Sequence, residues 1–131
     1  MHTLTIASAE KTELIDITAQ VAEAVRNHEW NNGLLCIFCP HTTGSITLNE
    51  NWDADVRHDI LLKIDESFAN DARFRHLEGN SDAHIKASLF SASQTVIVDA
   101  QKLQLGKWQG IYFAEWDGPR EREVYLQFVP A

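Results

Sequence analysis

The chain has 131 residues, 44% of them hydrophobic and 23% charged. That size and balance predict one globular domain over residues 1–131, with a core that holds without disulfides. A formal net charge of -8 argues against nucleic acid as a partner, because that binding depends on clustered Lys and Arg exchanging with counterions. No apolar run approaches the roughly 18 residues of a membrane span, and Met1-His-Thr-Leu-Thr5 lacks the basic and hydrophobic regions of a signal peptide. No membrane partner and a cytoplasmic location are therefore expected.

Thr3-Leu-Thr-Ile6 alternates polar with apolar side chains and Glu13-Leu-Ile-Asp-Ile17 does so less strictly, with Glu10-Lys11 at a turn between them. This predicts two opening strands paired with each other. Thr18 stands as the N-cap of a helix in which Val21, Ala22 and Val25 recur at helical spacing, and Asn31-Asn-Gly33 supplies the stop. Residues 33–39 read as a buried strand ended by Pro40, residues 41–44 as a connection and residues 45–48 as a second alternating strand. Asp53 is expected to cap a helix whose Val56, Ile60, Ile64 and Phe68 face the core, leaving Arg57, Lys63 and Glu66 wet. The polar stretch 70–80, broken by Gly79-Asn80, reads as a long loop, and loops of that length usually serve a function. Ser81-Asp-Ala-His84 opens a short third helix, marked by Ile85 and Leu89 one turn apart and reaching about Phe90. Residues 95–98, 110–116 and 122–129 form three late strands, with turns at Gly106 and at Asp117-Gly-Pro119. Strands at both ends with helices between them predict an α+β fold, mostly antiparallel and sandwich-like, rather than a doubly wound parallel sheet.

Cys36-Ile-Phe-Cys39 has C-x-x-C spacing, but positions three apart on a strand point to opposite faces, which favours two separate thiols over a redox or zinc pair. Imidazoles are the commonest ligands for zinc-like ions, and His41, His76 and His84 lie where a strand end, a loop and a helix start could converge. No H-x-H or H-E-x-x-H spacing links them, so from the residues alone three separate surface histidines are the simpler account. His58 belongs to a helix flank, and His2 and His28 to a chain end and a helix end, where solvated imidazole is the ordinary explanation. Thr42, Thr43, Gly44 and Ser45 suit an anion if their backbone N–H groups converge, or else a tight turn satisfied by its own hydroxyls. Glu50, flanked by Asn49 and Asn51, is placed as a base, as a ligand or as an acid at the positive end of the second helix. Trp108-Gln109 precedes a strand, and Arg120 closes a turn from which it can grip phosphate in a bidentate way.

Three segments taken together carry a resemblance that spans nearly the whole chain. They are His41-Thr-Thr running to Asn49-Glu-Asn51, Glu78-Gly-Asn-Ser-Asp-Ala-His84 with Lys86-Ala-Ser88, and Leu105-Gly-Lys-Trp-Gln109 followed by Asp117-Gly-Pro-Arg120. In this combination the chain resembles the YjbQ family, small bacterial and archaeal proteins described as secondary thiamine-phosphate synthases. The resemblance implies a compact α+β homotrimer with its polar motifs in a cleft near or between subunits, which would also explain some apolar excess. It implies a transferase activity, joining a hydroxymethylpyrimidine diphosphate to a thiazole phosphate with loss of pyrophosphate, as a side activity. On that reading Glu50, His41, His84 and Arg120 are catalytic. Thr42, Thr43, Asn49, Asn80, Trp108 and Gln109 contact a phosphorylated substrate, Trp108 by stacking. A divalent metal, zinc or magnesium, falls to His41, His76 and His84, with Asp82 and Glu50 as oxygen donors or supports. The dedicated synthases are larger phosphate-binding barrels, so a shared reaction would be convergence. The competing reading is a non-catalytic trimeric module for a metabolite or partner, its polar motifs serving the subunit interface.

Overall fold

The computed structural model describes residues 1–131 as two antiparallel sheets and three helices. Chain order is β1 (His2–Ala7), β2 (Glu13–Asp16), α1 (Thr18–Asn27), β3 (Gly33–Phe38), β4 (Gly44–Glu50), α2 (Ala54–Ser67), α3 (Ser81–Phe90), β5 (Ser93–Asp99), β6 (Lys102–Leu103), β7 (Gln109–Glu115) and β8 (Glu121–Pro130). The larger sheet runs β1-β8-β3-β5-β6 and the smaller one β2-β7-β4. This is the α+β, mostly antiparallel architecture that the sequence predicts.

β7 explains the layering. Its side chains alternate between two apolar environments, so the run Gly-Ile-Tyr-Phe-Ala-Glu is buried on both faces. Ile111 and Phe113 enter a core shared with the inner face of the large sheet (Leu35, Ile37, Val96, Val124, Leu126) and with Val21 and Val25 of α1. Tyr112, Ala114 and Trp116 point the other way, against Ala83 and Ala87 of α3 and the half-buried Ile60, Leu61 and Ile64 of α2. The small sheet is thus a middle layer, with the large sheet on one side and α2 and α3 on the other. No helix is long and apolar enough to cross a membrane.

Several local expectations are corrected. The two opening strands do not pair with each other: β1 joins β8 in the large sheet and β2 joins β7 in the small one. Each finds a distant strand because pairing there places Ile6 and Leu14 in different cores. Thr18 is the first residue of α1 rather than its cap; Ile17 holds the cap position, and Asp16 Oδ1 accepts hydrogen bonds from the Thr18 backbone N–H and hydroxyl. Asp53 does cap α2, accepting from the Asp55 N–H at 2.9 Å. The α2 stripe is only half-buried, and no residue of that helix is fully enclosed. α3 inverts the expected amphipathicity: Ile85 and Leu89 face outward while Asp82 and Lys86 are buried. The ammonium of Lys86 is held there by Asp65 at 2.9 Å and lies over the Trp116 ring. Asp82 in turn receives Lys11 at 3.0 Å, so the charges on the inner face of α3 are paired. The two cysteines are free, Cys39 buried and Cys36 half-buried.

Candidate functional site

Pro40 ends the β3 ladder, and the next residues cross from the large sheet to the small one. The backbone N–H of Glu123 in β8, left without a β3 partner, donates instead to His41 Nε2 at 2.9 Å. That bond fixes the neutral tautomer with its proton on Nδ1. Burial lowers the imidazole pKa, and the positive charge of Arg122 lowers it further, outweighing the raising influence of the Glu123 contact and of nearby carboxylates.

Thr43 is an anchor rather than a free hydroxyl. Its Oγ1 accepts from Arg122 Nη2 at 2.8 Å, and its carbonyl accepts from the same nitrogen at 3.2 Å and from the Trp116 N–H at 3.1 Å. Arg122 is itself clamped by Glu115, and both are almost completely buried. Ser45 is also enclosed, donating to the Ala87 carbonyl and receiving the Trp116 indole N–H. Of the hydroxyl-rich turn, only Thr42 stays exposed. Gly44 is required by close approach, because a Cβ there would stand 2.5 Å from the Phe113 ring.

These anchors set the turn against α3. His41, Thr42 and Gly44 line a pocket of about 360 Å³ with His84, Ala87, Ser88, Ser91 and Ala92. The ring of His76 meets that of His84 edge to face, with centroids 5.4 Å apart. His76 also lines an adjoining pocket of about 340 Å³ with Asn70, Phe74 and Ser81. Ser91 has φ 77° and ψ 150°, a conformation that glycine tolerates and serine does not without strain. The Ser91 carbonyl accepts from the Ile46 N–H, so this strained residue ties the pocket wall to β4.

Asn80 and Arg120 lie near the same end of β4, where both contact Asp117. Asn80 Nδ2 donates to Asp117 Oδ2 at 2.8 Å and Arg120 Nη2 to the same oxygen at 3.0 Å. Asn80 Oδ1 and Asp82 Oδ1 are buried without partners. The opposite end of β4 holds a separate group: Asn49, Glu50, Trp108 and Gln109. The six-residue step from Gly44 to Glu50 along an extended strand separates the two groups by about 20 Å. There Trp52 and Trp108 meet edge to face and both are exposed. Gln109 Oε1 accepts from the Gly106 N–H, closing the turn before β7, and the Asn49 carbonyl oxygen of the side chain accepts from the Glu50 N–H.

Two further members of this second group are not among the expected site residues. The Arg57 guanidinium lies 5.2 Å above the Tyr112 ring, and the Tyr112 hydroxyl donates to the Glu50 carbonyl at 2.9 Å. Burial raises the Tyr112 pKa despite the positive charge of Arg57. Glu50 Oε2 and Arg57 Nε are both buried without partners. Arg57 reads as a wet helix position by periodicity; only its spacing of one helical turn from Asp53 hinted at closeness to the Glu50 end.

Within one chain no three His, Cys, Asp or Glu side chains converge as metal ligands. His41 Nε2 is committed to Glu123, and the Asp82 carboxylate is shared by Lys11 and Lys86. The donor set His41, His76, His84 and Asp82 therefore does not fit a metal centre inside a single protomer.

The chain matches the family described as UPF0047 protein YjbQ-like over residues 2–131. It is 45% identical over 130 residues to UPF0047 protein YugU of Bacillus subtilis, covering 98% of both chains. UPF0047 protein MJ1081 of Methanocaldococcus jannaschii is 47% identical over 124 residues, covering 95% of this chain and 90% of that protein. Among solved structures, an uncharacterized conserved protein of the YjbQ/UPF0047 family from Clostridium acetobutylicum superposes with a TM-score of 0.95 at 46% identity, covering 98% of this chain and 100% of its own. Hypothetical protein APE1520 from Aeropyrum pernix gives a TM-score of 0.93 at 31% identity, over 99% and 98% of the two chains. With sequence and fold agreeing from end to end, the chain belongs to the YjbQ-like UPF0047 family.

Proposed function

We propose that this protein is a homotrimeric enzyme of small phosphorylated metabolites, with thiamine-phosphate synthesis as its reaction class. The supporting observation is the pocket in which His41 and His84, from separate elements, meet the hydroxyl-bearing Thr42, Ser88 and Ser91. Its volume of about 360 Å³ suits a small ligand. In the proposed reaction a carbon–nitrogen bond forms between the pyrimidine methylene and the thiazole nitrogen. The carbon–oxygen bond to the diphosphate breaks, and pyrophosphate leaves with the electron pair. Such a reaction asks the protein for donors to the leaving oxygens and for orientation of the nucleophile. The His41 Nδ1–H and the Thr42 hydroxyl are donors of that kind, while the Ser88 hydroxyl donates to the His84 carbonyl and Arg120, paired with Asp117, stands at the same end of β4. No step is assigned to a metal, because the donor set does not converge.

The outer face of the large sheet supports self-association. Leu34 is 49% exposed, Ile97 59% and Val129 56%, and the register places Leu34 opposite both of the others. A neighbouring copy is proposed to cover this face, and a shared cleft in which one copy's Glu50 end met another's His84 end would give the roughly 20 Å separation within one chain a purpose. Sedimentation equilibrium should give three chains per particle, and Ile97→Glu should give monomer. Purified trimer should form thiamine phosphate from the two phosphorylated precursors, and His84→Ala and Glu50→Gln should each lose that turnover. Mixed trimers refolded from those two variants should recover part of it. Turnover equal in the parent and both variants rejects the assignment of the site, and a monomeric parent rejects the shared cleft.

A further inference from the structure

Two histidines outside the proposed site carry a separate inference. His2 opens β1 and His28 is the C-cap of α1, and the fold sets His2 Nδ1 3.0 Å from His28 Nε2. Two imidazole nitrogens that close share either one proton or one metal ion. Metal–nitrogen bonds of about 2.0–2.1 Å spanning 3.0 Å enclose an angle of about 90–97°. That is near the right angle of a tetragonal site and well below the tetrahedral angle of about 109°.

The ring geometry points the same way. Imidazoles sharing a proton head-on at that separation would have centroids about 5.3 Å apart; here they are 4.8 Å apart with planes at 65°. At least one ring therefore leans off the nitrogen–nitrogen line, a geometry compatible with two ligands of a common ion. His28 is held in that pose by stacking on Trp30 at 4.8 Å, and Trp30 stacks in turn on Phe128. His2 is fixed by the pairing of β1 with β8, opposite Leu126. The two rings share a cavity of about 330 Å³ with Glu23, Gln20 and Asn27; no third His, Cys, Asp or Glu converges with them, so the remaining positions of a coordination sphere fall to water. The net charge of -8 favours a cation over an anion.

We propose that His2 and His28 form a two-histidine site for a tetragonal divalent ion, copper(II) or nickel(II), which clips the first strand to the end of the first helix. The site is independent of the pocket at His41 and His84. Nickel(II) chloride is the probe of choice, being redox-inert toward the half-buried thiol of Cys36. The full chain, with any affinity tag removed, is titrated by calorimetry while tryptophan emission is followed. One equivalent should bind, with quenching that Trp30→Phe abolishes. The melting temperature should rise with added nickel. His2→Gln and His28→Gln should each weaken binding by about tenfold or more and remove the nickel-dependent rise in melting temperature, while His84→Gln leaves both unchanged. The variants' metal-free melting temperatures report that they fold. The inference is overturned by absence of binding in the parent chain, by an unchanged titration in folded His2→Gln and His28→Gln, or by loss of the binding in His84→Gln.

Discussion

The buried pair Glu115–Arg122 is the keystone between the two sheets, and the variant Glu115→Gln tests that role. Glu115 is 0% exposed and Arg122 3%. Glu115 also receives the Ser8 hydroxyl at 2.7 Å and the Asp117 N–H at 3.1 Å, while Arg122 reaches across to both oxygens of Thr43. Glutamine keeps the volume but leaves an uncompensated guanidinium in the core, at a cost of about 3–5 kcal/mol, or about 10–20 °C in Tm for a chain of this length. Burial alone would raise the Glu115 pKa; hydrogen bonds from Arg122, Ser8 and Asp117, together with the charge of Arg122, outweigh it and hold the carboxyl below the ordinary value. A group depressed in this way stabilises the fold above its unfolded pKa of about 4.3, and the contribution is lost as pH falls through the folded value. Thermal melts of the parent at stepwise lower pH should show that loss, and Glu115→Gln should show a shallower acid limb. The double variant Glu115→Leu/Arg122→Met removes both charges and should be more stable than the single one. A Glu115→Gln melting temperature within about 3 °C of the parent, that is, a cost under about 1 kcal/mol, would refute the reasoning. So would a double variant less stable than the single.

Four other outcomes are expected. Ser91→Gly should raise stability by about 1 kcal/mol in urea unfolding, because glycine relieves the strain of φ 77°; a decrease would show that the conformation costs nothing. Gly44→Ala should lower it by about 1–3 kcal/mol, since the added carbon meets the Phe113 ring at 2.5 Å and Cys39 Sγ at 3.3 Å. In Asp82, hydrogen bonding and charge from Lys11, a backbone contact and the charge of Lys86 outweigh burial and keep the carboxyl low. Lys86→Met should therefore raise that pKa and move acid unfolding to higher pH, as read by circular dichroism. His84→Ala should weaken pyrophosphate binding in calorimetry while shifting Tm by less than about 3 °C, because the ring is half-buried and only edges His76.

Local pattern revealed most of the elements because strand alternation and helical spacing are short-range signals. Helical spacing places α3 at its observed ends, residues 81–90, and marks Asp53 as a cap. What escaped was non-local. The partners of β1 and β2 are strands near the other end of the chain, and nothing in residues 2–16 specifies them. The two-residue strand β6 leaves no sequence signal because its turn is made by Ala100 and Gln101 at φ 49° and 60°, without the glycine or asparagine that normally marks such a turn. The inner face of α3 is hidden from local pattern for a similar reason. Lys86 is buried only because Asp65, from α2, and Trp116, from the end of β7, stand where it points.

The candidate site was legible in residue type and not in grouping. His41, Thr42 and His84 could be singled out because core packing alone does not call for them, yet the Thr43–Arg122–Glu115 chain that sets their spacing could not be read from sequence. That chain also changes what the hydroxyl-rich turn is for. Thr43 and Ser45 spend their hydroxyls inside the protein, so the turn's anion-binding capacity falls to Thr42 and the two imidazoles. The charges on the inner face of α3 have a parallel effect: by pairing Asp82 with Lys11, and Lys86 with Asp65, they fix the helix so that His84 faces the turn. A pocket built this way owes its shape to ion pairs on both walls, one fully buried within the strands and one half-buried between helices. Its geometry should consequently fail before the apolar cores do as the pH falls, with ligand affinity lost ahead of secondary structure.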